Sequence, residues 1–259
     1  MGITSTRRDD HVRVVTVDVP PVNALPVAGW FELAEALDKA GHDLETHVVV
    51  LRAEGKGFNA GVDIKEMQHT DGFDALIGAN RGCFAAFRAV YECPVPVIAA
   101  VHGFCVGGGV GLVGNADCIV ASDDAYFGIP EVDRGALGAA THLARMVPPH
   151  LMRTLYFTGR TITAADLVPH GSVLEVVPRA ELDDTALAVA GEIARKDTRV
   201  IRMAKEALNG IDPVDVNKSY RFEQGFTMEL NLSGVSDELR DAFVDEQGPS
   251  TDKSRRGAK

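Results

Sequence analysis

The chain of 259 residues is 46% hydrophobic and 24% charged, enough to bury a substantial core as one domain, or one with a helical appendage. Its formal net charge of −11 opposes nucleic acid and anionic lipid as partners, so an anionic small molecule would need local basic groups. No apolar run reaches the ~18 residues of a membrane span, and the opening MGITSTRRDD is polar, so a cytoplasmic protein is expected.

In chain order, VRVVTVDV from Val12 to Val19 alternates as a strand does, and Pro20 and Pro21 end it. Helical spacing follows from Trp30 to Gly41. THVVVLRA, from Thr46, is a buried-strand run that leads into the turn EGKGFNAGVD. Apolar residues at helical intervals predict a helix from Asp74 to Cys93, and PVPVIAAV predicts a strand entered through prolines. Strand and helix alternate, which places the chain in the α/β class.

A glycine-rich stretch comes next, then CIVAS from Cys118 as a short strand, and AYFGIPEVDRG, which mixes strand and turn signals. TLYFTGRTITAADLV predicts a helix, a turn and a second helix start capped by Thr163, and SVLEVVP is again a strand. From Arg179 the pattern is almost wholly helical, and the closing GPSTDKSRRGAK is polar and reads as disordered. The division expected is a mixed core over 1–197, a helical region over 198–248 and a tail over 249–259. No repeat of fixed period is visible. Terminal amphipathic helices without an evident core partner suggest an oligomer.

Cys83, Cys93, Cys105 and Cys118 show no metal-ligand spacing and lie among apolar residues, so they read as packed, reduced thiols and no metal is expected. Within VIAAVHGFCVGGGVGLVGNAD, Gly109, Gly111 and Gly114 spell a dinucleotide fingerprint. The context denies it. Too few residues separate the glycines from the strand CIVAS, and Asp133, at the right distance for the ribose, falls beyond that strand. The alternative is a strand ending at Val101, a tight turn, and a short helix whose unpaired first N–H groups suit a developing negative charge on a carbonyl oxygen. GKGFNAGVDIKEM, from Gly55, supplies a second such turn.

These two turns, in this order, resemble the signatures of the crotonase, or enoyl-CoA hydratase/isomerase, family. PPVNAL, CIVASDDAYFGIPEVDRG, LYFTGRTITAADL, GSVLEVVP and AKEALN extend the resemblance over nearly the whole chain. It implies a spiral of ββα units, a helical C-terminal trimerisation region, and trimers that often pair into hexamers. It also implies an acyl-CoA substrate whose thioester enolate sits in an oxyanion hole. No separate cofactor is expected, since coenzyme A arrives with the substrate. By the family pattern the two oxyanion donors are the backbone N–H groups of Ala60 and Gly108. Ala60, Gly61, Val62, Asp63 and Ile64 are expected to help form the adenine pocket, with Lys56 and Lys65 as candidate phosphate contacts.

Family hydratases hold one water between two glutamates. The second is present as Glu131, but the first position is Gly111, which can neither hold nor exchange a proton. A second aspartate carried by some members is replaced by Ala139, and His142 enters as a new candidate, although a lone histidine near an apolar helix is more often structural. His102 and Asp63 are weaker candidates, Asp63 being suited to ordering its own turn. One carboxylate beside an oxyanion hole fits a double-bond isomerase, or a carbon–carbon hydrolase in which Glu131 or His142 activates water against a ketone β to the thioester. NRGCFAAFRAVYEC, PEVDRGALGAATHL and SYRFEQGFTMELNL are similar to the actinobacterial steroid-catabolism branch of the family. That resemblance implies ring opening of a bicyclic indane-dione carboxyl-CoA, with hydratase or isomerase chemistry as the alternative. Small Gly111 and Ala139 are consistent with room for a bulky acyl group.

Overall fold

The structure, a computed structural model, describes residues 2–8, 10–70 and 72–246. Its main sheet has six strands: β1 (Gly2–Arg7), β2 (Val12–Asp18), β3 (Val48–Ala53), β4 (Val97–Val101), β6 (Cys118–Ser122) and β9 (Glu175–Val177), in that spatial order. Only the β1–β2 pair is antiparallel. A smaller sheet orders β5 (Phe104–Val106), β7 (Tyr126–Gly128) and β8 (Thr161–Thr163).

Eleven helices connect and cover the strands among the described residues: α1 (Val27–His42), α2 (Ile64–His69), α3 (Asp74–Tyr91), α4 (Gly108–Val113), α5 (Ala140–Leu143), α6 (Pro149–Thr158), α7 (Ala164–Leu167), α8 (Leu182–Ala194), α9 (Thr198–Gly210), α10 (Val216–Leu232) and α11 (Val235–Glu246). The chain advances by a repeated step. β4 joins the main sheet, β5 the small one, and α4 closes the turn; β6 and β7 repeat the move. Bridges Leu25↔Val62 and Asn59↔Cys105 extend the second layer back to the earlier turns, giving the spiral of ββα units. No sequence repeat marks it because each turn fills its own core position with different side chains.

The two-residue period of the strands explains why the central runs read as continuously apolar. Val49, Leu51, Val97, Ala99 and Val101 face a core shared with α1 and α3, while Val48, Val50, Ile98 and Ala100 face α8. On α8, Leu182, Ala186, Ala190 and Ala194 recur every four residues and cover that second face. Fully burying a valine or isoleucine contributes about 1.5–3 kcal/mol relative to exposure, so both faces help fix the register.

Most predicted elements are found, and Thr163 begins α7 with a reciprocal capping box to Asp166. Three strands were not anticipated. β1 lies in the polar opening stretch and owes its form to pairing with β2, while β5 and β8 are three-residue strands of the small sheet. The expected disordered tail lies outside the described residues.

The C-terminal helices tie back to the core by polar contacts. Buried Lys205 of α9 donates to both carboxylate oxygens of Asp117, at 2.8 and 2.7 Å, and Arg202 donates to the carbonyls of Gly41, Asp43 and Thr46. The opposite face of α9 exposes Val200, Met203 and Leu208, with Ile211 just beyond. On α10, Tyr220, Gln224 and Thr227 are buried against the spiral, whereas Phe222 and Phe226 are exposed and stack edge to face.

Candidate active site

The Ala60 turn is pinned by two asparagines in otherwise apolar surroundings. Asn23 donates to the carbonyls of Glu54 and Gly57 and accepts from Val19; Asn59 donates to the Asn23 carbonyl and accepts from Gly61 N–H at 2.8 Å. Backbone bonds from Leu25 to Gly61 and from Asp63 to Leu25 complete the frame. Among the described residues, the N–H groups of Ala60 and Gly108 make no hydrogen bond, and both residues remain partly exposed.

Gly107, with φ 57°, is the N-cap of α4 and turns the chain so that Gly108 opens the helix. The two turns touch: a methyl group on Gly61 would lie 3.2 Å from Gly108 N, and one on Gly108 would lie 3.3 Å from Gly61 Cα. Bringing two sets of unpaired donors to one place requires small residues on both sides. That is the arrangement an oxyanion site needs.

Glu131 reaches this junction from the 3₁₀ turn Pro130–Arg134. A methyl group on Gly107 would approach its Oε1 to 2.5 Å, and its Oε2 is buried without a partner. The residue as a whole is partly exposed, but its carboxyl head is enclosed, and this burial raises its pKa to about 8 against opposing effects from its own backbone N–H and the Arg134 charge. Glu131 is therefore mostly protonated at neutral pH and poised to exchange a proton.

Gly107, Gly111 and Gly114 line one face of α4 and its two caps, and each admits a different neighbour: Glu131, the Phe87 ring and His142. The room at Gly111 is not open, which corrects the expectation of space for a bulky acyl group there. Any side chain at Gly111 would overlap the Phe87 ring, itself packed edge to face on Trp30 (5.6 Å between centroids) and His142 (4.9 Å), and tilted on Tyr220 (5.1 Å). Ala139, buried with φ 59°, is the N-cap of α5.

His142 is fully buried. Its Nδ1 lies 3.1 Å from Asn115 Oδ1, while Asn115 donates to the Phe87 carbonyl, so the ring carries its proton on Nδ1 and Nε2 is a bare acceptor with no partner. Burial depresses its pKa to about 3, with nearby Arg145 acting in the same direction. Gly114, which packs on the His142 backbone, lies seven residues along the helix face from Gly107, which packs on Glu131, a separation of roughly 10 Å at 1.5 Å per residue. Phe87 is packed between, so His142 and Glu131 are not brought together.

Asp63 caps α2 by accepting from Lys65 and Glu66 N–H, and Lys56 and Lys65 are exposed. His102 is buried against the Gly55 carbonyl, where burial lowers its pKa. All four cysteines are unpaired by disulfides, and no cluster of metal-ligating side chains occurs among the described residues. A surface cleft of about 560 Å³ beside Arg145 and Asp212 touches neither Glu131 nor either turn.

Three residues of the site lay outside the sequence reading. Glu223 of α10 accepts from Ala140 N–H, Thr141 N–H and the Thr141 hydroxyl, fixing the wall beside Glu131. Trp30 lies against Gly108, with Cη2 and Cζ2 2.8 and 2.9 Å from a methyl built there. Phe87 fills the Gly111 face. Their only sequence signal is membership of a helix, which says that a side chain is buried but not what it meets.

The profile described as enoyl-CoA hydratase/isomerase matches residues 7–246. The chain is 69% identical over 256 residues to a protein of Rhodococcus jostii named (7aS)-7a-methyl-1,5-dioxo-2,3,5,6,7,7a-hexahydro-1H-indene-carboxyl-CoA hydrolase, covering 99% of each. It is 70% identical over 244 residues to a protein of the same name from Mycobacterium tuberculosis, covering 94% of this chain and 99% of that one. A crystal structure of a probable enoyl-CoA hydratase from Mycobacterium thermoresistibile superposes with a TM-score of 0.81 at 31% identity, over 90% of this chain and 98% of that one.

Proposed function

The chain belongs to the enoyl-CoA hydratase/isomerase family, and we propose that it hydrolyses a carbon–carbon bond in the ring of a bicyclic indene-dione carboxyl-CoA thioester in steroid degradation. The observation that carries this reading is a single carboxylate, Glu131, with a bare buried oxygen beside two turns whose backbone donors are free. The end-to-end likeness to two hydrolases of that name supports it. Where a hydratase needs a second acid, Gly111 and the Phe87 ring offer none.

The steps follow from what these groups can do. Ionised Glu131 takes a proton from water as its oxygen bonds to the ring ketone carbon, and the carbonyl electrons move to oxygen. Collapse of that alkoxide restores a carbonyl and breaks the ring bond, whose electron pair passes into conjugation with the thioester. The resulting enolate oxygen is held by the N–H groups of Ala60 and Gly108, and Glu131 returns its proton to carbon. One water is consumed, and a ring-opened carboxylic acid remains attached to coenzyme A.

Ala60, Gly61, Val62, Asp63 and Ile64 form the adenine side of the coenzyme site, with Lys56 at its phosphates. The exposed apolar face of α9, with Phe222 and Phe226 of α10, makes the contact of a trimer or hexamer in a cytoplasmic enzyme. Incubation of the dione thioester in H₂¹⁸O is expected to give a ring-opened acid carrying one label. Recovery of intact dione, with water added instead to an unsaturated acyl-CoA, would return the chain to hydratase chemistry.

A further inference from the structure

Five buried side-chain nitrogen or oxygen atoms lack a partner among the described residues, and two belong to side chains packed on adjacent glycines of the catalytic turn: Trp30 Nε1, whose ring meets Gly108, and Glu131 Oε2, whose carboxyl meets Gly107. His142 Nε2 lies apart from them, on the far side of the Phe87 ring. Buried polar atoms in native proteins are nearly always bonded, so such a pair marks where a ligand completes the set. Glu131 has a proton to exchange, whereas Trp30 is a permanent neutral donor with no task in the steps above.

We propose that the indole N–H of Trp30 is the hydrogen-bond donor for the ring ketone that water attacks. The inference rests on the ring-opening reading and adds the group that reading lacks. Ala60 and Gly108 serve the thioester oxygen, yet negative charge first develops on a different oxygen, that of the attacked ketone. A buried donor close to the thioester site is what this second oxygen requires.

Trp30 has no exposed surface, and its Cη2 and Cζ2 edge lies against Gly108. Nε1 is two bonds from Cζ2, so the N–H is next to the edge of the indole that packs on Gly108. Gly82 of α3 allows the approach that seats the residue, since a methyl there would fall 2.8 Å from Trp30 Cβ. The edge-to-face packing on Phe87 holds the ring plane fixed. The donor is thus preorganised, and no side-chain entropy is lost as charge develops.

Trp30 is the only tryptophan of the chain, so its indole resonance in ¹⁵N-labelled protein reports this group alone. With the dione thioester as substrate, Trp30→Phe, which keeps an aromatic ring but removes the N–H, is expected to lower kcat by about 10²–10³-fold. KM should change by only a few fold, measured below the melting temperature of the variant, which the cavity left in the core is expected to lower. In Glu131→Gln protein, which holds the thioester uncleaved, the Trp30 Nε1–H proton resonance should move downfield on saturation. Wild-type kcat in Trp30→Phe overturns the proposal. If Trp30→Phe proves unstable, the resonance decides: a downfield move sustains the assignment and an unmoved signal overturns it. Failure of the wild-type protein to open the ring removes the hydrolase reading itself, a result distinct from normal opening by both proteins.

Discussion

Two glutamates stand on the same wall of the site, one from the 3₁₀ turn after β7 and one from α10, and they are solvated by the protein in opposite ways. Glu223 receives two backbone N–H groups and a hydroxyl, whereas Glu131 has a buried oxygen with nothing bound to it. Burial raises the pKa of both; hydrogen bonds from Thr141 and Ala140 pull back at Glu223, whereas at Glu131 the hydrogen bond that does so comes from its own backbone N–H alone. A saturated carboxylate is a fastening; a bare one is a reagent. The contrast separates the structural from the chemical acid without reference to sequence position.

Substitution at the bare carboxylate should have the largest effect. Glu131→Gln is expected to lower kcat about 10³-fold in steady-state assays while acyl-CoA affinity stays within a few fold. In the wild type, kcat/KM should rise with pH through about 8, and the residual activity of the variant should lose that limb. The stability sign is also defined. Since the folded pKa lies above the ordinary 4.5, the unfolded chain ionises first and stability falls as pH rises from about 4.5 to about 8. The glutamine variant should lack that decline in thermal melts, and an equal decline in both proteins would assign the bare oxygen no cost.

Glu223→Ala should reverse the pattern. It strands three donors, with an expected loss of about 3 kcal/mol in urea unfolding and a smaller effect on kcat than Glu131→Gln. Equal kinetic losses from both glutamates would erase the comparison. The smallest effect concerns His142, neutral in the fold and bound to Asn115. Its pKa is depressed from 6.5 to about 3, so its contribution is present above pH 6.5 and is lost as pH falls toward about 3. Between pH 7.5 and pH 5 this amounts to about 2 kcal/mol, at 1.36 kcal/mol per pH unit below 6.5. His142→Gln should narrow the difference between melts at those two pH values.

Period-two alternation and buried apolar runs made β2, β3, β4 and β6 readable in the sequence, and helical spacing did the same for α1, α3 and α8 to α11. β1 was hidden because its form depends on a partner strand, which a polar hexapeptide does not announce. At the site, Ala60, Gly108 and Glu131 could be named because small residues and an acid recur there in a recognisable order. Asn23 and Asn59 carried a weak signal as polar residues within the apolar runs PPVNAL and GFNAGVD. Trp30 and Phe87 carried none. Their meeting spans 57 positions and is decided by how α1 and α3 pack on α4, which no local pattern records.

The three glycines on the face of α4 bear on how this protein can change under selection. Each is closed by a different occupant, so a substitution at Gly107, Gly111 or Gly114 meets Glu131, Phe87 or His142 before it meets any substrate. Glutamate at Gly111 would supply a second acid, but it has no space until Phe87 becomes smaller. In a saturation library these positions should tolerate as little as Glu131 does, though none of the three side-chain sites takes part in chemistry. The path from this enzyme toward a two-acid relative therefore needs coupled changes, and each single step passes through a less stable protein.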